Sequence, residues 1–206
     1  MVTTKFTLAQ KRNRLLGRAL AIACAAALWV AFVPGAAADE HDKLTYITFS
    51  APVEIPGKVL PPGTYAFKLL DSTGNRNIVQ IFDKDQKKLY ATILGIPNYR
   101  PEPPDKTIVR FEERASGSPE AVEAWFYPGD PYGVEFVYPH QRAMELAKRT
   151  GHNVLSMRDD QAKTISTTAT SASDPGIKAM QNTDVTGVSP SGGPVDITII
   201  VASPAR

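Results

Sequence analysis

The chain has 206 residues, with 23 basic and 21 acidic side chains and a single cysteine. Five of the basic residues and none of the acidic ones precede Asp39, so the chain from Asp39 onward carries a net charge of −3, which argues against nucleic-acid binding. The cysteine, Cys24, also precedes Asp39, which excludes an intramolecular disulfide or a catalytic thiolate from that part of the chain.

Residues 1–38 have the features of a secretory signal peptide. A basic start is followed by the apolar run Ala19–Val33, and Ala36–Ala38 presents the small-x-small pattern that signal peptidase cleaves. The run has 15 residues, whereas a membrane span needs about 20. We therefore expect a protein exported to the periplasm, the cell surface or the medium, starting at Asp39 and without a stable membrane span. Cleavage at a lipidated Cys24 is the alternative.

Seven segments have the composition and the alternation of β-strands. They are Leu44–Phe49, Tyr65–Leu70, Asn77–Phe82, Leu89–Ile96, Val109–Glu112, Val122–Phe126 and Val134–Tyr138. Turn residues separate them, and no long helical pattern lies between them. The sequence therefore predicts a mainly β domain over residues 39–157, as a small antiparallel β-sandwich or barrel of about seven strands.

The first turn of this domain has a specific signature. In Leu60–Tyr65, Pro62 fixes φ, Gly63 would supply the positive φ of a type II turn, and Tyr65 would begin the inward face of the next strand. The motif resembles the Leu-Pro-x-Gly-x-Tyr turn of exported prealbumin-like sandwich domains, including carboxypeptidase regulatory-like and collagen-adhesin B-type modules.

A longer stretch, from Pro-Val-Glu-Ile-Pro-Gly at residues 52–57 through Thr-Ile-Leu-Gly-Ile-Pro at residues 92–97, resembles a group of uncharacterised exported proteins common in soil acidobacteria. This resemblance covers most of the expected folded domain. It implies no activity.

The C-terminal part divides into a helix and a tail. Pro139–Thr150 predicts one helix that closes an end of the β core, with Gly151 as its C-terminal cap. The chain has no aromatic residue after Tyr138, and residues 158–206 are rich in Ser, Thr, Ala and Gly, which predicts a disordered tail. Within that tail, Val195–Ala202 is apolar and either returns to the domain as an edge strand or remains part of the tail.

Aromatic residues are the best candidates for binding. Alternation in the sixth strand places Phe126 towards the core and Trp125 and Tyr127 together on the opposite face, with Tyr132 and Tyr99 nearby. Exposed aromatic rings bind sugar rings or the apolar side chains of a partner. If another layer covers that face, the same residues belong to the core. The sequence leaves both interpretations open.

Catalytic candidates are few. Glu112, Glu113 and Glu123 lie on adjacent predicted strands, and paired carboxylates perform acid–base chemistry on sugars. Flanking Arg110 and Arg114 point instead to charge pairing on the surface. No metal site, cofactor or hydrolase motif is predicted. The sequence thus favours an exported noncatalytic β module that binds a polymer or an envelope protein; the alternative is a small carbohydrate-active enzyme.

Overall fold

The computed structural model describes residues 43–73, 76–112, 118–164, 171 and 173–197, all of them in one compact unit. The predicted signal peptide and Glu113 lie outside the described residues. Within those ranges, no helix has both the length and the apolar character needed to cross a membrane.

The fold is mainly β, as predicted, and its larger sheet has nine strands. These are β1 (Leu44–Phe49), β2 (Val53–Ile55), β3 (Lys58–Leu60), β4 (Gly63–Thr73), β5 (Arg76–Asp83), β6 (Leu89–Tyr99), β7 (Ile108–Glu112), β8 (Glu120–Phe126) and β9 (Tyr132–Phe136). Seven of them overlap the seven predicted strands. The hairpin β2–β3 was not predicted, because strands of three residues are too short to show a period.

The seven longer strands lie in the order β1-β4-β5-β6-β9-β8-β7, and each neighbouring pair is antiparallel. The hairpin β2–β3 joins the sheet through parallel pairing of β2 with the first residues of β8. Because seven antiparallel strands form the row, its two edge strands, β1 and β7, run in the same direction. Among the described residues β1 and β7 do not pair, so the sheet is an open roll, and residues of both edges line a cavity of about 870 Å³.

The inside of the roll holds the main core, whose centre is Phe67. The ring of Phe67 lies 6.0 Å from that of Trp125 and 6.4 Å from that of Phe136, measured between centroids. Phe49 of β1 meets Phe111 of β7 at 6.2 Å, where the two edges of the sheet approach each other. Side chains of this size dominate core burial, so these contacts explain why the sheet curls.

The predicted helix is confirmed as α1 (His140–Thr150), and Gly151 adopts the left-handed conformation with a φ of 76°. Leu146 is buried, whereas Met144 is exposed. Arg142 donates from Nε and Nη2 to the two carboxylate oxygens of Glu54 in β2, at 2.6 and 2.7 Å. This two-point contact joins α1 to the short hairpin.

A smaller sheet follows the roll in sequence. Its strands are β10 (Tyr138–Pro139), β11 (Val154–Met157), β12 (Val185–Val188) and β13 (Pro194–Val195), in that order, and it is accompanied by α2 (Asp159–Thr164) and α3 (Pro175–Gln181). A second core forms between this sheet, α3 and the outer face of β5 and β6. Its buried residues are Ile78, Leu94, Ile96, Val137, Leu155, Met157, Ile177 and Met180.

Within residues 158–206, for which the sequence predicted a disordered tail, the structure describes α2 as well as α3, β12 and β13. Ile177 and Met180 are buried although this segment has no aromatic residue, because they pack against the apolar outer face of β5 and β6. Of the possible strand at 195–202, Val195 pairs with Gly187 in the smaller sheet. Residues 198–202 lie outside the described residues.

The predicted type II turn is wrong. Gly63 begins β4 opposite Phe49 and does not have a positive φ, whereas Gly57, between β2 and β3, has a φ of 78°. Tyr65 is buried in the core as expected, and its hydroxyl donates to the carbonyl of Pro61 at 2.7 Å.

Candidate binding cavity

A cavity of about 360 Å³ opens at the end of the roll where β1 begins and β8 ends. Its volume falls within the range of about 300–1,000 Å³ that is usual for small-molecule sites. Trp125, Tyr127 and Tyr132, three of the four aromatic candidates from the sequence, line it. The sequence therefore identified residues that the fold does bring together.

Strand geometry explains this convergence. Trp125 and Tyr127 are two residues apart at the end of β8, so they face the same side. The turn at Gly129, with a φ of 78°, returns the chain into β9, which begins at Tyr132. Tyr99 pairs with Tyr132 across β6 and β9, and their ring centroids are 5.4 Å apart. Tyr99 thus supports Tyr132 at the rim but does not line the cavity.

Trp125 forms the inner wall and belongs to the core. It is only 1% exposed, and its indole nitrogen donates a hydrogen bond of 3.0 Å to the hydroxyl of Thr45 in β1. An exposed platform that includes Trp125 is therefore wrong. Trp125 is therefore a core residue that also lines the cavity.

In β8 the expected alternation is interrupted by a β-bulge at Glu123, so Val122 and Trp125, three residues apart, both lie in the core of the roll. Phe126, expected in the core of the roll, lies on the opposite face, buried against Gly133. The guanidinium groups of Arg100 and Arg110 lie over its ring, at 5.2 and 5.7 Å from the centroid. Arginine side chains thus cover an aromatic ring that would otherwise face water.

Asn77 of β5 is the polar residue that sequence reasoning missed. It lines the cavity, is 6% exposed, and its side-chain carbonyl oxygen has no hydrogen-bond partner among the described residues. Nearly all buried polar atoms in proteins are paired, so an unpaired acceptor in a cavity indicates a place for a donor from a ligand or water. The sequence feature that could have identified Asn77 is its position: it is a polar residue in phase with Val79 and Ile81, which point inward from the same strand.

An ion pair between Lys43 and Asp130 lies at the mouth of the cavity. Lys43 precedes β1, and Asp130 is in the turn between β8 and β9, so the pair joins opposite sides of the opening. Asp130 also accepts a 2.7 Å hydrogen bond from the backbone nitrogen of Tyr132, which fixes the rim. Both charged side chains are mostly buried.

The candidate carboxylates lie elsewhere, on the face of the sheet opposite Trp125. Glu112 of β7 and Glu123 of β8 are close enough to repel each other, and Glu135 of β9 adds a third carboxylate that the sequence did not suggest. Arg110 forms an ion pair with Glu123. The amide of Asn98 donates a 2.6 Å hydrogen bond to Glu135.

Two of these carboxyl groups have strongly raised pKa values. Burial raises the pKa of Glu112 to about 8, with further repulsion from Glu123 and Glu135. Burial likewise raises the pKa of Glu135 to about 7, with repulsion from Glu123, while Arg110 and Asn98 act in the opposite direction. None of the three lines either cavity described above.

No group of three or more His, Cys, Asp or Glu side chains within the described ranges is arranged to hold a metal ion. Comparisons with protein-family models, with curated proteins and with solved structures found no match. The resemblance to acidobacterial exported proteins stays a prediction.

Proposed function

We propose that this protein is an exported, noncatalytic binding protein of the cell envelope or the medium, and that the cavity at the end of the roll is its binding site. The observation that carries the proposal is the combination of three aromatic side chains with an unpaired carbonyl, that of Asn77, in one cavity. Small-molecule and polymer-end sites have this composition: mostly apolar walls and a few placed polar groups.

We take the side of the Lys43–Asp130 ion pair as the entrance of the cavity, because on the opposite side Trp125 belongs to the core around Phe67. A polymer therefore enters by its end, and a protein partner enters by one projecting side chain. Either ligand fits the expected role of an exported β module.

The alternative is a small carbohydrate-active enzyme that uses Glu112, Glu113 and Glu123. The raised pKa values of Glu112 and Glu135 favour it, because a general acid needs a carboxyl group that is still protonated near neutral pH. Against it, Glu112 and Glu135 are 4% and 3% exposed, and the aromatic side chains that would hold a sugar lie on the other face of the sheet.

Tryptophan fluorescence tests the proposal, since Trp125 is the only tryptophan after residue 38. The exported protein is titrated with soluble oligosaccharides and peptides and incubated with insoluble peptidoglycan, cellulose and chitin. We expect binding that Tyr127→Ala weakens at least tenfold. Tyr46→Ala is the matched control, because Tyr46 is 53% exposed and outside both cavities. Equal losses in the two variants, or turnover abolished by Glu112→Gln, would contradict a noncatalytic cavity site.

A further inference from the structure

We propose that the cavity binds the terminal unit of a neutral carbohydrate, with a sugar hydroxyl donating a hydrogen bond to the side-chain carbonyl of Asn77. This inference rests on the function proposed above and names its ligand class. It makes Asn77 the residue that determines specificity.

The unpaired carbonyl of Asn77 selects for a donor. The oxygen is buried, lines the cavity and has no partner in the described part of the chain. A purely apolar ligand would displace water from this oxygen and leave it unpaired, which costs binding free energy. A hydroxyl group satisfies it. The same logic makes a site built around a hydroxyl reject analogues that lack one.

The walls select for a ring with apolar faces. Tyr127 and Tyr132 face the cavity from the β8–β9 side, and Leu69 and Pro97 face it from β4 and β6. Aromatic side chains provide apolar area together with a hydroxyl group at the ring edge. A sugar ring has C–H faces that pack on such surfaces and hydroxyl groups at its periphery, so it matches both features.

The charges select for a neutral ligand. Lys43 and Asp130 are the charged residues that line the cavity, and they form an ion pair with each other. Neither is available to an anionic or a cationic ligand without breaking that pair. The volume of about 360 Å³ lies at the low end of the usual range, and the core closes the inner side. The site therefore fits one terminal sugar unit better than the middle of a polymer chain.

The experiment titrates the exported protein with neutral mono- and disaccharides, with their single-deoxy analogues, with indole as an apolar probe and with octanoate as an anionic probe. Trp125 emission and calorimetry report binding. We expect a neutral sugar to bind, and one deoxy analogue to bind at least tenfold more weakly. Asn77→Leu should remove this difference and bind both ligands weakly. Asn153→Ala, an amide variant away from the cavity, should bind as the native protein does.

Stability distinguishes lost recognition from lost folding. The Tm of Asn77→Leu makes the distinction, because a variant that binds weakly but unfolds at the native temperature has lost recognition and not its fold. If every deoxy analogue binds the native protein as tightly as its parent sugar, the role of Asn77 is wrong, whatever the variant does. If indole or octanoate binds in a Tyr127-dependent manner and no neutral sugar does, the carbohydrate inference fails and the binding function stands. If no ligand binds, both fail.

Discussion

Trp125 and Thr45 connect the two sides of the open roll, through a hydrogen bond of 3.0 Å from the indole Nε1 to the threonine Oγ1. The contact joins β8 to β1, which are far apart in the order of the sheet. It also satisfies the only polar atom of the indole inside the core. Because Trp125 forms the inner wall of the cavity, this bond holds that wall of the proposed site in place.

Thr45→Val should therefore destabilise the fold by about 1–2 kcal/mol, since it leaves the indole N–H buried without a partner. Valine has the shape of threonine, so the packing around Phe67 stays. Urea unfolding followed by Trp125 emission measures the change. Thr48→Val is the control, because Thr48 is exposed on the same strand and should change stability by less than about 0.5 kcal/mol. Equal effects would show that the bond contributes little.

Gly133→Ala should be more damaging than an ordinary glycine replacement. A Cβ atom at Gly133 would lie 2.3 Å from Cδ1 of Phe126, whereas one at Gly63 would meet Tyr65 at 3.6 Å, an ordinary contact. We expect Gly133→Ala to cost about 1–3 kcal/mol through overpacking. Gly63→Ala should be neutral or slightly stabilising. Denaturant titration of the two variants tests the placement of Phe126 on the outer face.

Stability should fall as the pH rises from about 5 to 8. The pKa of Glu112 is raised from 4.5 to about 8, so in this window the native state holds a proton that the unfolded chain has already released. Stability falls with rising pH wherever the native state binds more protons than the unfolded state. This contribution to the free energy of unfolding is therefore lost as the pH approaches 8. In Glu112→Gln, the decrease in the free energy of unfolding between pH 5 and 8 should be smaller by about 1–3 kcal/mol.

The control for this titration is Glu120→Gln, because Glu120 is exposed at the start of β8. Unfolding by urea at pH 5, 6, 7 and 8 gives the profile for each variant. An increase in native stability between pH 5 and 8, or the same flattening in both variants, would contradict a buried protonated Glu112.

Ile177→Ala should destabilise the domain by about 2–5 kcal/mol, although it lies in a segment whose composition predicts disorder. Ile177 is fully buried in α3 against the outer face of β5 and β6. Lys178→Ala, at the exposed next position, is the control. Thermal unfolding measures both. If the two variants unfold at the same temperature, α3 does not contribute to the fold.

The sequence by itself predicted the local structure well. Alternation and turn residues located the seven longer strands, and a Gly after a helical pattern located the end of α1, because these signals depend on neighbours a few residues apart. The same alternation showed that Trp125 and Tyr127 share one face. It also placed Glu112 and Glu123 on adjacent strands, which the hairpin of β7 and β8 brings together.

Only the tertiary structure decided which face is the inside. Alternation assigns Trp125 and Phe126 to opposite sides of β8, but the curl of the sheet determines that Trp125 meets Phe67 and that arginine side chains cover Phe126. The β8–β9 hairpin pairs Glu135 with Ala124, and only the packing of the folded sheet buries its carboxyl group.

The cavity and the folded tail depend on contacts of the same kind. In the sequence, Asn77 is an ordinary polar residue at the end of a strand, because the cavity around it exists only in the folded roll. From composition alone, residues 173–197 are part of a disordered tail, whereas in the structure Ile177 packs against the apolar outer face of β5 and β6. For residues 173–197 the stabilising free energy comes from burial of Ile177 and Met180 against strands distant in sequence, which composition and periodicity do not encode.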